Sequence, residues 1–74
     1  MEINVTLYNY LKNDRFSNAI VTLPDSAKVD NLLDHLQIKQ HEIGSIFINR
    51  QSCTFETVLN PDDKVELLPL IGGG

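Results

Sequence analysis

The sequence predicts an α+β domain, a mixed sheet of four to five strands packed on one helix. Three observations carry this. Near the start, "INVTL" sets Ile3, Val5 and Leu7 at a period of two, the pattern of a half-buried strand. In the middle, Val29, Leu32, Leu33 and Leu36 fall at i, i+3, i+4 and i+7, one apolar stripe of an amphipathic helix. Near the end, "KVELLPL" alternates Val65 and Leu67 with Glu66 and Leu68.

The remaining elements follow in order. "LKNDRFSN" is polar and turn-rich, and "AIVTLP" is a second β-branched run that Pro24 closes. The two runs read as a hairpin with a longer than minimal loop. In "PDSAKVDNLLDHLQI", Asp25 or Ser26 is expected to cap the helix by accepting from its free N–H groups. The helix should stop before "KQHEIG", with Gly44 as the break. "SIFIN" is a short strand ending at the turn-former Asn49, and "RQSCTFETVL" reads as a short strand and an irregular turn. "NPDD" is a strong turn signal that launches the last strand. One helix on one face of such a sheet makes two layers. The β-grasp is the economical solution for this order and size, although topology by itself gives no function.

Size and charge narrow the classes further. With 74 residues the chain is one domain, and 42% hydrophobic content suits a packed core. A single cysteine makes no internal disulfide, so packing alone must hold the core, and a reducing compartment fits. "MEINVTLYNY" is too polar for a signal peptide or a membrane span, so the expected location is the cytoplasm, with no membrane partner. A net charge of −4 argues against nucleic acid, which needs a basic patch, and favours a partner with a basic docking face.

Little in the chain points to chemistry of its own. Cys53 has no histidine near it in sequence and no electropositive setting, so it reads as an ordinary packed or loop cysteine. His35 and His41 stand six apart, off the i, i+4 spacing of a shared helix face, and no metal site is expected. The carboxylates Asp25, Asp30, Asp34, Glu42, Glu56, Asp62, Asp63 and Glu66 are scattered and read as caps, turns and solvated faces. The terminal glycines do not make a phosphate-cradling loop, because no helix follows them.

The end of the chain, "KVELLPLIGGG", is the feature that needs an explanation. Glycine builds structure poorly, yet a run without Cβ atoms is thin and takes any φ and ψ. Residues 1–69 are expected to form the domain and 70–74 a flexible tail. Five extended residues reach roughly 17 Å at about 3.4 Å each, enough to thread a terminus into a partner's active site. A flexible end or a tag scar is the plain alternative.

The stretches "INVTLYNYLK", "VDNLLDHL" and above all "LNPDDKVELLPLIGGG" resemble the MoaD/ThiS sulfur carriers, small ubiquitin-like β-grasp proteins ending in Gly-Gly. The likeness covers nearly the whole chain, and the Leu-Pro segment looks nearer to the molybdopterin synthase small subunit than to the thiamine-pathway carrier. Two features depart from the family pattern. Asn49-Arg50 stands where Asn-Gly is usual, and three glycines stand where two are typical. The resemblance implies that Gly74 carries the chemistry, or Gly73 if one residue is removed, with Gly72 and Gly73 threading the tail. It implies partners that do the catalysis: a ubiquitin-activator-like adenylyltransferase using ATP and magnesium, a sulfur donor enzyme, and an acceptor enzyme such as the molybdopterin synthase large subunit. The chain itself would bind no cofactor and would be a carrier rather than an enzyme.

The strand pattern adds a docking surface. If Ile3, Val5, Leu7, Ile46, Ile48, Val65 and Leu67 face the helix, then Tyr8, Phe47 and Leu68 face outward near the tail exit. An exposed apolar cluster marks an interaction surface, and Pro69, Leu70 and Ile71 are expected to join it. A register slip of one residue would bury the three instead. Three functions are compatible: a sulfur carrier serving molybdopterin or thiamine synthesis, a ubiquitin-like modifier of lysines, and a non-catalytic β-grasp interaction domain.

Overall fold

The computed structural model describes residues 1–71 of the chain. Five strands form one sheet: β1 (Glu2–Leu7), β2 (Asn18–Thr22), β3 (Ile43–Ile48), β4 (Gln51–Ser52) and β5 (Lys64–Pro69). Their spatial order is β2-β1-β5-β3-β4, with β5 parallel to β1 and every other pair antiparallel. The one α-helix among the described residues, α1 (Val29–Leu36), lies between β2 and β3 in sequence. Parallel strands need a long crossover, and the chain from β2 to β5 supplies it. This is the β-grasp fold.

One face of the sheet is dry. Ile3, Val5 and Leu7 of β1 and Val65 and Leu67 of β5 meet Val29, Leu32 and Leu33 of the helix, all essentially inaccessible. Leu36 packs against their edge. Each fully buried Leu or Val contributes about 1.5–3 kcal/mol. The connection after β1 is more than a polar link, because its Leu11 is fully buried and Phe16 packs on the core. A 3₁₀ turn over Asn9–Lys12 tucks Leu11 inward.

Several local expectations need correction. The helix is not capped by Asp25 or Ser26. Asp25 instead lies 3.4 Å from the N-terminal ammonium, and Ser26 takes a left-handed turn conformation at φ 68°. Two of the helix's free donors are taken by a distant loop: Val29 N–H bonds Thr57 O at 3.0 Å, and Asp30 N–H bonds Phe55 O at 3.0 Å. Asn31 completes the start by accepting from Lys28 N–H through its side chain, at 2.8 Å. The N–H groups that Asp25 or Ser26 would serve already have acceptors: Ala27 N–H bonds Pro24 O at 3.2 Å, and those of Lys28 and Val29 go to Asn31 and Thr57.

The far end of α1 does not wait for Gly44 either. Gln37 turns left-handed at φ 59° and ends the helix. Arg15 then reaches across from the first connection, its guanidinium donating to Leu36 O at 3.1 Å, Gln37 O at 3.1 Å and Leu11 O at 2.9 Å. A cation over a helix C-terminus also complements the dipole. Asp63 departs from the solvated reading as well. It is buried, accepting from Asn60 N–H at 2.8 Å and from Asn49 Nδ2 at 2.9 Å, which ties the β3–β4 turn to the turn before β5.

Candidate functional site at the end of β5

The site begins with the alternation in β5. Val65 and Leu67 point into the core, so Glu66 and Leu68 lie on the opposite, outer face and are half-buried. On one side β3 sets Phe47 opposite Glu66 and Ser45 opposite Leu68. On the other, β1 sets Thr6 opposite Glu66, and Tyr8 N–H bonds Leu67 O at 3.2 Å. Phe47 and Leu68 are therefore half-buried diagonal neighbours on the outer face, and Tyr8 is 37% exposed just beyond the end of β1. The register is the one that turns Tyr8, Phe47 and Leu68 away from the helix.

Tyr8 is held in place. Its hydroxyl donates to Glu66 Oε2 at 2.5 Å. That hydrogen bond first, then burial and the carboxylate charge, raise the tyrosine pKa above its ordinary value, against an opposing pull from Arg50. The phenol stays a neutral donor throughout the physiological range.

Beyond Leu68 the expected docking residues divide. Leu70 and Ile71 are 56% and 74% exposed, the most accessible apolar side chains on the way out. Pro69 is different: it is buried and pairs with Ile43 at the end of β5. The reason lies in β3. The pairing shifts register between Ile43 and Ser45, which brings Gly44 directly against Pro69 and Leu70. A Cβ on Gly44 would lie 2.7 Å from the Pro69 carbonyl oxygen and 3.0 Å from Leu70 Cα. Gly44 is therefore a close-approach glycine rather than a helix break. Gly72, Gly73 and Gly74 lie outside the described residues.

Sequence reasoning passed over one residue here. Tyr10, 44% exposed in the 3₁₀ turn, places its hydroxyl 3.2 Å from Glu42 O and 3.5 Å from Leu70 O. Leu70 N–H bonds the same Glu42 carbonyl at 2.8 Å. The available signal was the doublet Tyr8-Asn9-Tyr10 just after a strand, two large aromatics without a core pattern to absorb them.

Cys53 is half-buried, its thiol directed at Ile46 O at 3.7 Å, and burial is the main cause that pushes its pKa up. A protonated thiol is a poor nucleophile. Among the described residues, no three His, Cys, Asp or Glu side chains gather in a way that could hold a metal. None of the described helices is long and apolar enough to cross a membrane.

Fold and site together define a class: a β-grasp domain whose last strand runs out, beside an exposed apolar rim, into a glycine-rich end. The chain belongs to the ThiS family, whose profile matches residues 2–74. Solved structures with the same fold include SAMP1 from Haloferax volcanii, 17% identical with TM-score 0.77 over 100% of both chains. Another is the putative molybdopterin converting factor subunit 1 from Pyrococcus furiosus, 17% identical with TM-score 0.78 over 93% of this chain and 97% of that one. A third is a complex of subunits 1 and 2 of the molybdopterin-converting factor from Helicobacter pylori, 21% identical with TM-score 0.64 over 100% of both chains. At these identities the likeness establishes the fold. Among curated proteins none matches the chain in sequence. The fold is thus the one shared by sulfur carriers and ubiquitin-like modifiers.

Proposed function

We propose that this protein is a sulfur carrier whose C-terminal glycine, Gly74, is the reactive group, or Gly73 if one residue is trimmed. What supports this reading is one arrangement. The family match runs to the final glycine, and the strand before it ends at Pro69 with Leu70 and Ile71 exposed beside Tyr8, Leu68 and Phe47. A carboxylate resists nucleophiles, so a ubiquitin-activator-like partner joins it to AMP, consuming ATP with magnesium and releasing pyrophosphate. The persulfide of a donor enzyme then expels AMP to give an acyl disulfide, and a second thiol, forming a disulfide with the donor cysteine, releases the thiocarboxylate. Delivery to an acceptor enzyme, such as a molybdopterin synthase large subunit, restores the carboxylate. The domain's part is to dock through its outer face while the glycines, lacking side chains, pass into a narrow channel. The catalytic groups belong to the partners, and this chain is the co-substrate.

Molybdopterin synthesis is the favoured pathway over thiamine, because the P. furiosus and H. pylori neighbours are named as molybdopterin converting factor subunits. The H. pylori structure, a complex of subunits 1 and 2, also supplies the pattern for the acceptor partner. A second reading, conjugation to lysines, is favoured by the likeness to a small archaeal modifier protein.

Intact mass after incubation with the activating enzyme, ATP and a sulfur source tests both. One oxygen-to-sulfur replacement at the terminus is the expected product. Conjugate ladders on denaturing gels would favour the modifier, and an unchanged mass would leave a non-catalytic interaction domain.

A further inference from the structure

We infer that Tyr10 is a tail-positioning residue: its hydroxyl braces the Glu42 carbonyl that accepts from Leu70 N–H, and with Gly44 this holds the Leu70 backbone against the end of the sheet, so that the reach toward a partner is counted from Ile71. The inference rests on the proposed carrier function for its consequence, and on geometry alone for the latch. Two donors from separate parts of the chain, Leu70 N–H and the Tyr10 hydroxyl, meet at the Glu42 carbonyl just after β5 has ended, and Gly44 lets the chain come close there. Leu70 N–H donates to Glu42 O at 2.8 Å, extending the β3 side of the sheet by one bond past Pro69, which has no N–H to give. The Tyr10 hydroxyl has a single proton, and it donates to Glu42 O at 3.2 Å with Leu70 O at 3.5 Å as the alternative acceptor. Gly44 removes the Cβ that would push Leu70 away. The Leu70 side chain meanwhile stays exposed, so the backbone is tied down while the side chain is left for a partner.

The consequence is a shorter and better aimed arm. Residues 71–74 reach roughly 14 Å when extended, against roughly 17 Å if Leu70 were also free. Because Leu70 N–H is tied to Glu42 O, docking of the domain already fixes where the reach begins. Without the hydroxyl, ordering Leu70 must be done at the moment of binding, which weakens binding without touching the chemistry. Removing one of three supports should raise KM about threefold to tenfold.

The test is Tyr10→Phe, which deletes the hydroxyl and keeps the ring. Amide exchange by NMR reads the latch in the isolated protein, and pyrophosphate exchange with the cognate activating enzyme reads its use. The expected result is a loss of protection confined to Leu70 and its bonded neighbours, with core amides unchanged. KM for the carrier should rise about threefold to tenfold, with kcat within about twofold. Protection that survives in Tyr10→Phe overturns the latch, and a raised KM in that case would assign the hydroxyl to direct partner contact. Lost protection with unchanged KM overturns the positioning role. Should the wild-type protein support no pyrophosphate exchange at all, the carrier function and the positioning role fail together, while amide exchange still decides the latch.

Discussion

Replacing Gly44 with alanine should loosen the sheet at the point where the chain leaves it. The added Cβ would sit 2.7 Å from the Pro69 carbonyl oxygen, and an ordinary contact needs at least 3.4 Å, so the two strands must part by about 0.7 Å there. The obstacle is backbone on both sides, which cannot swing away as a side-chain end could. A shift of that size carries the Leu70–Glu42 hydrogen bond from 2.8 Å beyond the usual 2.7–3.2 Å range. Overpacking of this kind costs about 1–3 kcal/mol, offset by about 0.4–1 kcal/mol from the lower entropy of the unfolded alanine chain. A domain of this length has about 4–11 kcal/mol in total. The net of about 0–2.6 kcal/mol should lower the Tm, followed by circular dichroism, by up to about 20 °C. Amide exchange should show Leu70 deprotected well before the β1–β5 core. A Tm within about 2 °C of wild type with Leu70 still protected would refute the close approach of Gly44 to Pro69.

Three other outcomes test the remaining structure. Phe47→Ala and Leu68→Glu should each weaken binding of the activating or acceptor partner about tenfold or more while the far-ultraviolet spectrum stays native; unchanged affinity would remove both from the docking surface. Arg50→Gly should stabilise the domain by about 0.5–1 kcal/mol. Asn49 and Arg50 form a two-residue hairpin loop with φ of 51° and 71°, a pair of positive angles that suits Asn-Gly; an unchanged or lower urea midpoint would show that Arg50 makes a compensating contact. Cys53 should alkylate more slowly in the folded protein at pH 7.5 than in denaturant, since burial raises its pKa. The sign follows: its contribution to stability is complete below the unfolded thiol value of about 8.5 and declines as pH rises through the folded value. Equal rates in the two states would contradict the burial.

Much of this architecture is written locally. A period of two at Ile3, Val5 and Leu7, and again at Val65 and Leu67, names both the strand and its buried face, because alternate side chains must point to opposite sides. The helical stripe from Val29 to Leu36 does the same for α1. From those faces the outward direction of Tyr8, Phe47 and Leu68 follows without coordinates. The family, too, was visible in "LNPDDKVELLPLIGGG".

What needed tertiary structure is everything decided by partners far along the chain. The N-terminus of α1 is served by carbonyls of Phe55 and Thr57, and its C-terminus by Arg15. No window around the helix contains them, so local rules pointed to Asp25, Ser26 and Gly44 instead. The carboxylate of Asp63 is buried because Asn49 comes back to meet it across the sheet. Pro69 and Gly44 had sound local readings, a docking residue and a helix break. The register shift between β3 and β5 joined them into one tight crossing. Tyr10 acquired a role only when the 3₁₀ turn, Glu42 and Leu70 arrived at the same place. Periodicity tells each segment which side faces the core. Which residues of different segments then touch is settled by how those faces pack, and that is a property of the whole chain.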